Sequence, residues 1–243
     1  QARYEEAKRH SAEGTEFAEA LLRKDPKHEA ALGLQIGLLR STALAANATG
    51  DGAGAEARFR RIASLWTQNG ALLQQPDNRR IALDHVLCSL ADEANMLVEA
   101  NRRDEAKDVA DELRAMLASE PAATVTDLAR ISAARLEFTM AAVAASEGEP
   151  DRQEQCLHEC LRIVDQVLEE SPEHSSGLRA KAMATNSLGL LSLHSERFEE
   201  AARWFDQSLA ITRRVAELSP SVFDAQVSLA TTLVNVGALH KDS

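Results

Sequence analysis

The sequence predicts an all-α fold, a right-handed α-solenoid of antiparallel helix pairs with about ten helices. Three observations carry that expectation. The composition is rich in Ala, Leu, Glu and Arg with only 4% aromatic residues, which favours helix. No long stretch alternates apolar and polar side chains with enrichment in Val, Ile, Thr or Tyr, so strands find no support. Five of the six prolines, Pro26, Pro76, Pro121, Pro172 and Pro220, recur at intervals of 50, 45, 51 and 48 residues. Proline past a helix end stops it, because the ring lacks an N–H and disfavours helical geometry in the residue before it. A stop with that period marks a tandem repeat.

A second breaker divides each unit into two helices. Helix 2–24 ends at Arg23-Lys24-Asp25-Pro26, and 28–47 runs into the breaker between Asn47 and Gly54. Helices 54–74 and 78–100 lie on either side of Pro76, the latter ended by Asn101-Arg102-Arg103-Asp104. Segment 103–119 stops at Ala118-Ser119-Glu120-Pro121, and 123–146 at Glu147-Gly148-Glu149-Pro150. In 151–170 one apolar stripe runs through Cys156, Cys160, Ile163 and Val167, beside a second through Leu157, Leu161, Val164 and Leu168. Helix 174–194 ends at Ser195-Glu196-Arg197. In 198–218 the stripe is Ala201, Ala202, Phe205, Leu209, Thr212, Val215 and Ala216, and 222–240 follows Pro220. Faces this wide suit helices packed against two neighbours. The chain starts on the second helix of one pair and closes on the first of another, and opens on Gln1. It is expected to be a single solenoid domain over 1–243, cut from a longer array.

The formal net charge is −11, from 38 acidic and 27 basic side chains. That excess repels phosphate backbones and anionic lipid, so neither nucleic acid nor membrane is expected as a partner. Three cysteines, Cys88, Cys156 and Cys160, do not make a disulfide scaffold and point to a reducing, cytoplasmic setting. No apolar run reaches the length of a membrane span.

The stretch from Thr185 to Ser208 resembles the tetratricopeptide repeat through Leu188-Gly189, Ala201 and Phe205, with Arg197-Phe198-Glu199-Glu200-Ala201 leading into the second helix. Asn235-Val236-Gly237, Asn101 to Ala106 and Tyr4-Glu5-Glu6-Ala7 carry further parts of the pattern. The unit departs from that family in its length, and Gln153, Ala110 and Leu157 replace pattern residues. Long arrays of this style look like those carboxy-terminal to bacterial serine/threonine protein kinase domains, although no kinase motif is present. The resemblance implies a concave side lined by first helices, where peptides bind. Register with Gly189 places Asn186, Leu190 and Leu193 there, with Phe138 and Ala142 one unit back and Ala91, Asn95 and Val98 two back. The family's carboxylate clamp would use Asn235, but Ser187 and Asp92 stand at the equivalent positions of other units, which disfavours that mode.

Chemistry-bearing clusters are few. Cys156 and Cys160 share a helix face, whereas His158 points about 200° away from each at about 100° per residue, so packing outweighs zinc binding there. Gly50-Asp51-Gly52-Ala53-Gly54 lacks the preceding strand and the Lys of a phosphate loop and reads as a turn. Neither His-Glu-x-x-His nor a nucleophile elbow occurs. The sequence therefore predicts no enzyme, no metal and no cofactor. It predicts a protein-interaction module of a larger signalling protein, taking a partner's peptide or helix at Asn95, Phe138, Asn186 and Leu190. A spacer or self-associating array, dimerising through its ends or concave face, is the alternative. A non-catalytic region of a protein kinase is the second.

Overall fold

In a computed structural model the chain is described over residues 2–218, 230–235 and 237, with the side chains of 2–8 and 12 excepted. The fold is all-α, and the described residues contain no strand. Among the described residues nine α-helices are delimited, in order: α1 (Ala2–Lys24), α2 (Glu29–Ala48), α3 (Gly52–Asn69), α4 (Pro76–Glu99), α5 (Arg103–Ser119), α6 (Asp127–Glu147), α7 (Pro150–Glu170), α8 (Ser175–His194) and α9 (Phe198–Leu218). Short 3-10 turns occupy Gly70–Leu72 and Ala122–Thr124. Residues 230–235 and 237 are helical, and the rest of the expected 222–240 helix, Val236 included, lies outside the described residues.

Four inter-helix turns share one construction. Gly50, Asn101, Gly148 and Glu196 adopt positive φ of 85°, 60°, 74° and 58°. The next residue then donates its N–H five positions back: Asp51 to Ala46, Arg102 to Leu97, Glu149 to Ala144 and Arg197 to Ser192, at 2.8–2.9 Å. A left-handed residue that folds the chain back onto the last carbonyls is how helices end when another must begin at once. The alternate turns use a different device. At His28 and His174 the imidazole Nδ1 accepts the N–H of Ala31 (3.2 Å) and Gly177 (3.1 Å), capping α2 and α8. The Thr126 hydroxyl caps α6 through Ala129 N–H, and in the Gly50 turn Asp51 adds a cap of α3 through Gly54 N–H.

Two prolines act differently from expectation. Pro76 and Pro150 open α4 and α7 at the first turn, where a missing N–H costs nothing and the fixed φ is already helical. The expected end of helix 54–74 is accordingly earlier, at Asn69, and the 123–146 helix starts only at Asp127 because 122–124 forms a 3-10 turn.

The chain divides into two compact units, 1–129 and 130–243, the boundary falling in the first turn of α6. In the first, α2 packs against α1, α3 and α4, and α4 against α5. Contacts between α2 and α4 climb together: Glu29 accepts from Gln75 N–H, Gly37 faces His85, and Arg40 pairs with Asp92 at 2.9 Å. These two first helices therefore run parallel. The second helices α3 and α5 are likewise tied in parallel by Glu56–Arg102 (2.6 Å) and Glu105–Arg60 (3.6 Å).

In the second unit, α8 packs against α7 and α9. Leu178 meets Val215, the Ser208 hydroxyl donates to the Ala182 carbonyl at 3.0 Å, and Gly189 abuts Phe205. The descending and ascending numbers make α8 and α9 antiparallel. Most of the expected stripe residues are buried, Leu157, Cys160, Leu161, Ile163, Val164 and Val167 on α7 and Ala201, Phe205, Thr212 and Val215 on α9, while Cys156, Leu168, Ala202, Leu209 and Ala216 are half-buried at the stripe margins.

Candidate interaction site on the first helices

The first helices α2, α4 and α8 are enclosed on most sides, since each contacts the helices before and after it. What remains open is a narrow strip. On α4 the strip runs from Ile81 through Asp84 and Asp92 to Asn95, because fourteen residues at about 100° each return to nearly the same direction. Ile81 is 52% exposed there, and on α2 Leu34 is 45% exposed beside exposed Ser41 and Leu44. In the second unit, Phe138 and Ala142 mark the strip on α6, and Met183, Asn186 and Leu190 mark it on α8, with Met183 50% exposed.

All four residues expected to meet a partner have some exposure on these strips, but they are not equivalent. Asn95 is exposed, and its Nδ2 donates to Glu99 Oε1 at 2.8 Å. Phe138 is half-buried. Asn186 Oδ1 accepts from Asn235 Nδ2 at 2.9 Å, so the Asn235 amide is engaged within the protein rather than held free for a ligand. Leu190 packs against Ala201 and Phe205, which leaves only part of its side chain available. Ala91, expected on the same side, is buried. It lies one residue off the strip, where α4 meets its neighbours. Missed by the sequence reading were Ile81 and Met183. Met183 stands three residues before Asn186, a spacing that places it on the same helix face.

Electrostatics along α4 are shaped by burial. Desolvation raises the Asp84 carboxyl above its usual range, opposed by the Thr126 hydroxyl that donates to it and by Arg80. Desolvation, with Arg40 nearby, lowers His85 below its ordinary value, which keeps that imidazole neutral. The strip on α4 thus carries an apolar and an amide side chain, Ile81 and Asn95, at its ends, with two half-buried carboxyls between them: Asp84 accepts from Thr126 and Asp92 is paired to Arg40.

The other clusters resolve into packing and capping. Cys160 is buried and its thiol is pushed up to about 12 by that burial, so it sits in the core as a small apolar group. His158 leans on Trp204 with ring centroids 5.8 Å apart, away from the cysteine stripe. Among the described residues no group of three or more His, Cys, Asp or Glu side chains is disposed to hold a metal. Asp51 caps the N-terminus of α3, its carboxylate accepting the Gly54 N–H at 2.9 Å. No described helix is long and apolar enough to cross a membrane.

No protein-family model matches the chain, and a search of curated proteins finds no match. Among solved structures, the chain is similar to BtubC (BKLC) from P. vanneervenii, at 18% identity and a TM-score of 0.67, over 98% of this chain and 83% of that one. At that identity the likeness shows the shared helical fold alone.

Proposed function

We propose that the chain is a protein-interaction array of the tetratricopeptide kind, whose first-helix strips take a peptide segment or helix from a partner, within a larger cytoplasmic signalling protein. The observation that carries this reading is the pairing of exposed apolar side chains, Leu34, Ile81 and Met183, with the amides of Asn95 and Asn186 on helices otherwise enclosed. Apolar anchors beside a few directional polar groups are what a recognition surface needs. Support for the family comes from the packing of the motif residues: Ala201 and Phe205 are buried together, with Gly189 giving the ring room. The net charge of −11 favours a neutral or basic partner segment.

The test is capture of a defined amphipathic peptide library by the chain and by an Asn95→Ala, Phe138→Ala, Met183→Ala, Asn186→Ala variant of unchanged helicity. Loss of at least tenfold in affinity is expected, together with a modest weakening by salt. Binding that survives all four substitutions would sink the strip as the working surface. Self-association is favoured by one observation, the exposed Leu233 and Val234 in the 230–235 segment. Sedimentation over a range of concentrations separates it from partner binding.

A further inference from the structure

Away from the first-helix strips, α3, α4 and α5 line an open groove of about 320 Å³, formed by Arg60, Ala63, Ser64, Thr67, Gln68, Glu93, Val109 and Glu112. Its floor holds an ionisable group without an adequate partner. Glu93 is 2% exposed, and its Oε1 accepts no hydrogen bond from any described group. The nearest cation, Arg60 Nε, stays 3.6 Å away, beyond hydrogen-bond reach. Arg60 cannot close that gap cheaply, because Nη2 is held by Glu56 at 3.1 Å and lies 3.6 Å from Glu105. Arg102, the second guanidinium acting on Glu93, is bound to Glu56 and Glu105 at 2.6 Å each.

The charges around this carboxyl do not balance. Glu56 from α3 and Glu112 from α5 face Glu93 as like charges, and Arg60 and Arg102 are shared among more carboxylates than they can neutralise. A buried carboxyl in that state gives up its charge, and Glu93 is pushed up to about 7, chiefly by desolvation. The groove walls complete a recognisable receptor. Ala63 and Val109 are buried apolar residues that line it, while Gln68 donates to the Ser64 hydroxyl at 2.9 Å on its wall. The volume lies at the lower end for small-molecule pockets, the size of one long side chain or a small amine.

We propose that this groove receives an organic cation, an ammonium or guanidinium group on a short aliphatic stem, with the head group on the Glu93 and Glu112 carboxylates and the stem on Ala63 and Val109. The cation restores the charge that burial removes from Glu93. Its binding therefore expels a proton below neutral pH, and affinity climbs with pH until Glu93 is ionised in the free protein. The stem-and-head chemistry is shared by a Lys or Arg side chain of a partner protein and by a free amine, and the site is independent of the strips described above.

The experiment is amide chemical-shift titration of the full chain with four probes: butylamine, 1,4-diaminobutane, a blocked Gly-Lys-Gly peptide and its norleucine counterpart. Saturable shifts confined to 60–68, 93 and 109–112 are expected for the three amines. Binding should be about tenfold tighter at pH 8 than at pH 6, as ionisation of a carboxyl near 7 requires. Glu93→Gln should weaken it at least tenfold with helicity unchanged, and Arg60→Met, which removes the competing cation, should tighten it. Preference for the lysine peptide over both free amines assigns the ligand to a protein partner; preference for the diamine assigns it to a small molecule. The proposal is overturned if the norleucine peptide binds as well as the lysine one, if no amine binds, or if Glu93→Gln leaves the affinity unchanged.

Discussion

At the scale of single residues, Phe205 and Gly189 show how little room the core leaves. A Cβ on Gly189 would lie 2.6 Å from two carbons of the Phe205 ring, a distance no real Cβ tolerates. Phe205 is wholly buried, so Phe205→Ala should cost about 3–5 kcal/mol in chemical denaturation. Gly189→Ala should cost about 1–3 kcal/mol by overpacking. An unchanged midpoint for either would disprove the register of α8 on α9. These two positions were legible in the sequence because the motif fixes their spacing. Glu93 was not: within Ala91-Asp92-Glu93-Ala94 it reads as solvated charge, and only the meeting of three helices buries it. Its pH signature is specific. An unfolded glutamate releases its proton near 4.5 and the folded one near 7, so between those values the folded state holds more protons. Stability therefore falls as pH rises from about 4.5 to about 7 and stays lower above. Glu93→Gln lacks that fall, and its advantage over the wild type should grow from near zero at pH 4 to about 3 kcal/mol at pH 8. His85, shifted downward, works in the opposite direction but is common to both proteins and cancels in the difference. A constant difference across that range would contradict the burial of the Glu93 carboxyl with no hydrogen bond at Oε1.

At the scale of elements, the turns carry the repeat more faithfully than the helices do. The positive-φ residues stand 51, 47 and 48 apart, yet only two of the four are glycine. Asn101 tolerates the left-handed region, but Glu196 is held there against its preference, at a cost of about 1–2 kcal/mol. Glu196→Gly should thus stabilise the chain by about 0.5–1 kcal/mol, part of the relief being offset by glycine's entropy when unfolded. A drop in melting temperature would show that the turn is not strained. His174→Ala should cost about 1 kcal/mol through the lost cap on α8. The second helices were legible because each has one apolar stripe and one wet face. The first helices were harder to orient: buried nearly all round, α6 and α8 carry small residues on every side, and the periodicity that separates inside from outside fades. That is why Ala91 was misplaced and Ile81 overlooked. The prolines misled at Pro76 and Pro150 for a related reason, since the same residue that ends a helix also begins one.

At the scale of the whole molecule, the fold class and the repeat were legible, while the ties between successive units were not, because ion pairs across more than forty residues leave no local pattern. Two of them repeat the same arrangement. Arg102, at the entry to α5, binds Glu105 three residues on and reaches back to Glu56 of α3. Arg197, at the entry to α9, binds Glu200 three residues on and reaches back to Glu154 of α7. In both cases a helix pair is fastened to the one before it by an arginine at the entry of its second helix, and stability should be a sum of local and nearest-neighbour terms instead of a single cooperative quantity. Arg102→Met isolates this. Its described partners all lie within 1–129, so hydrogen exchange should quicken in α3 and α5 while amides of α7 to α9 keep their wild-type protection. In a fold with one shared core the same substitution would lower protection everywhere by one amount. Exchange measured by mass spectrometry on matched peptides distinguishes the two outcomes, and equal acceleration in 198–218 would refute the nearest-neighbour organisation while leaving the helices themselves in place.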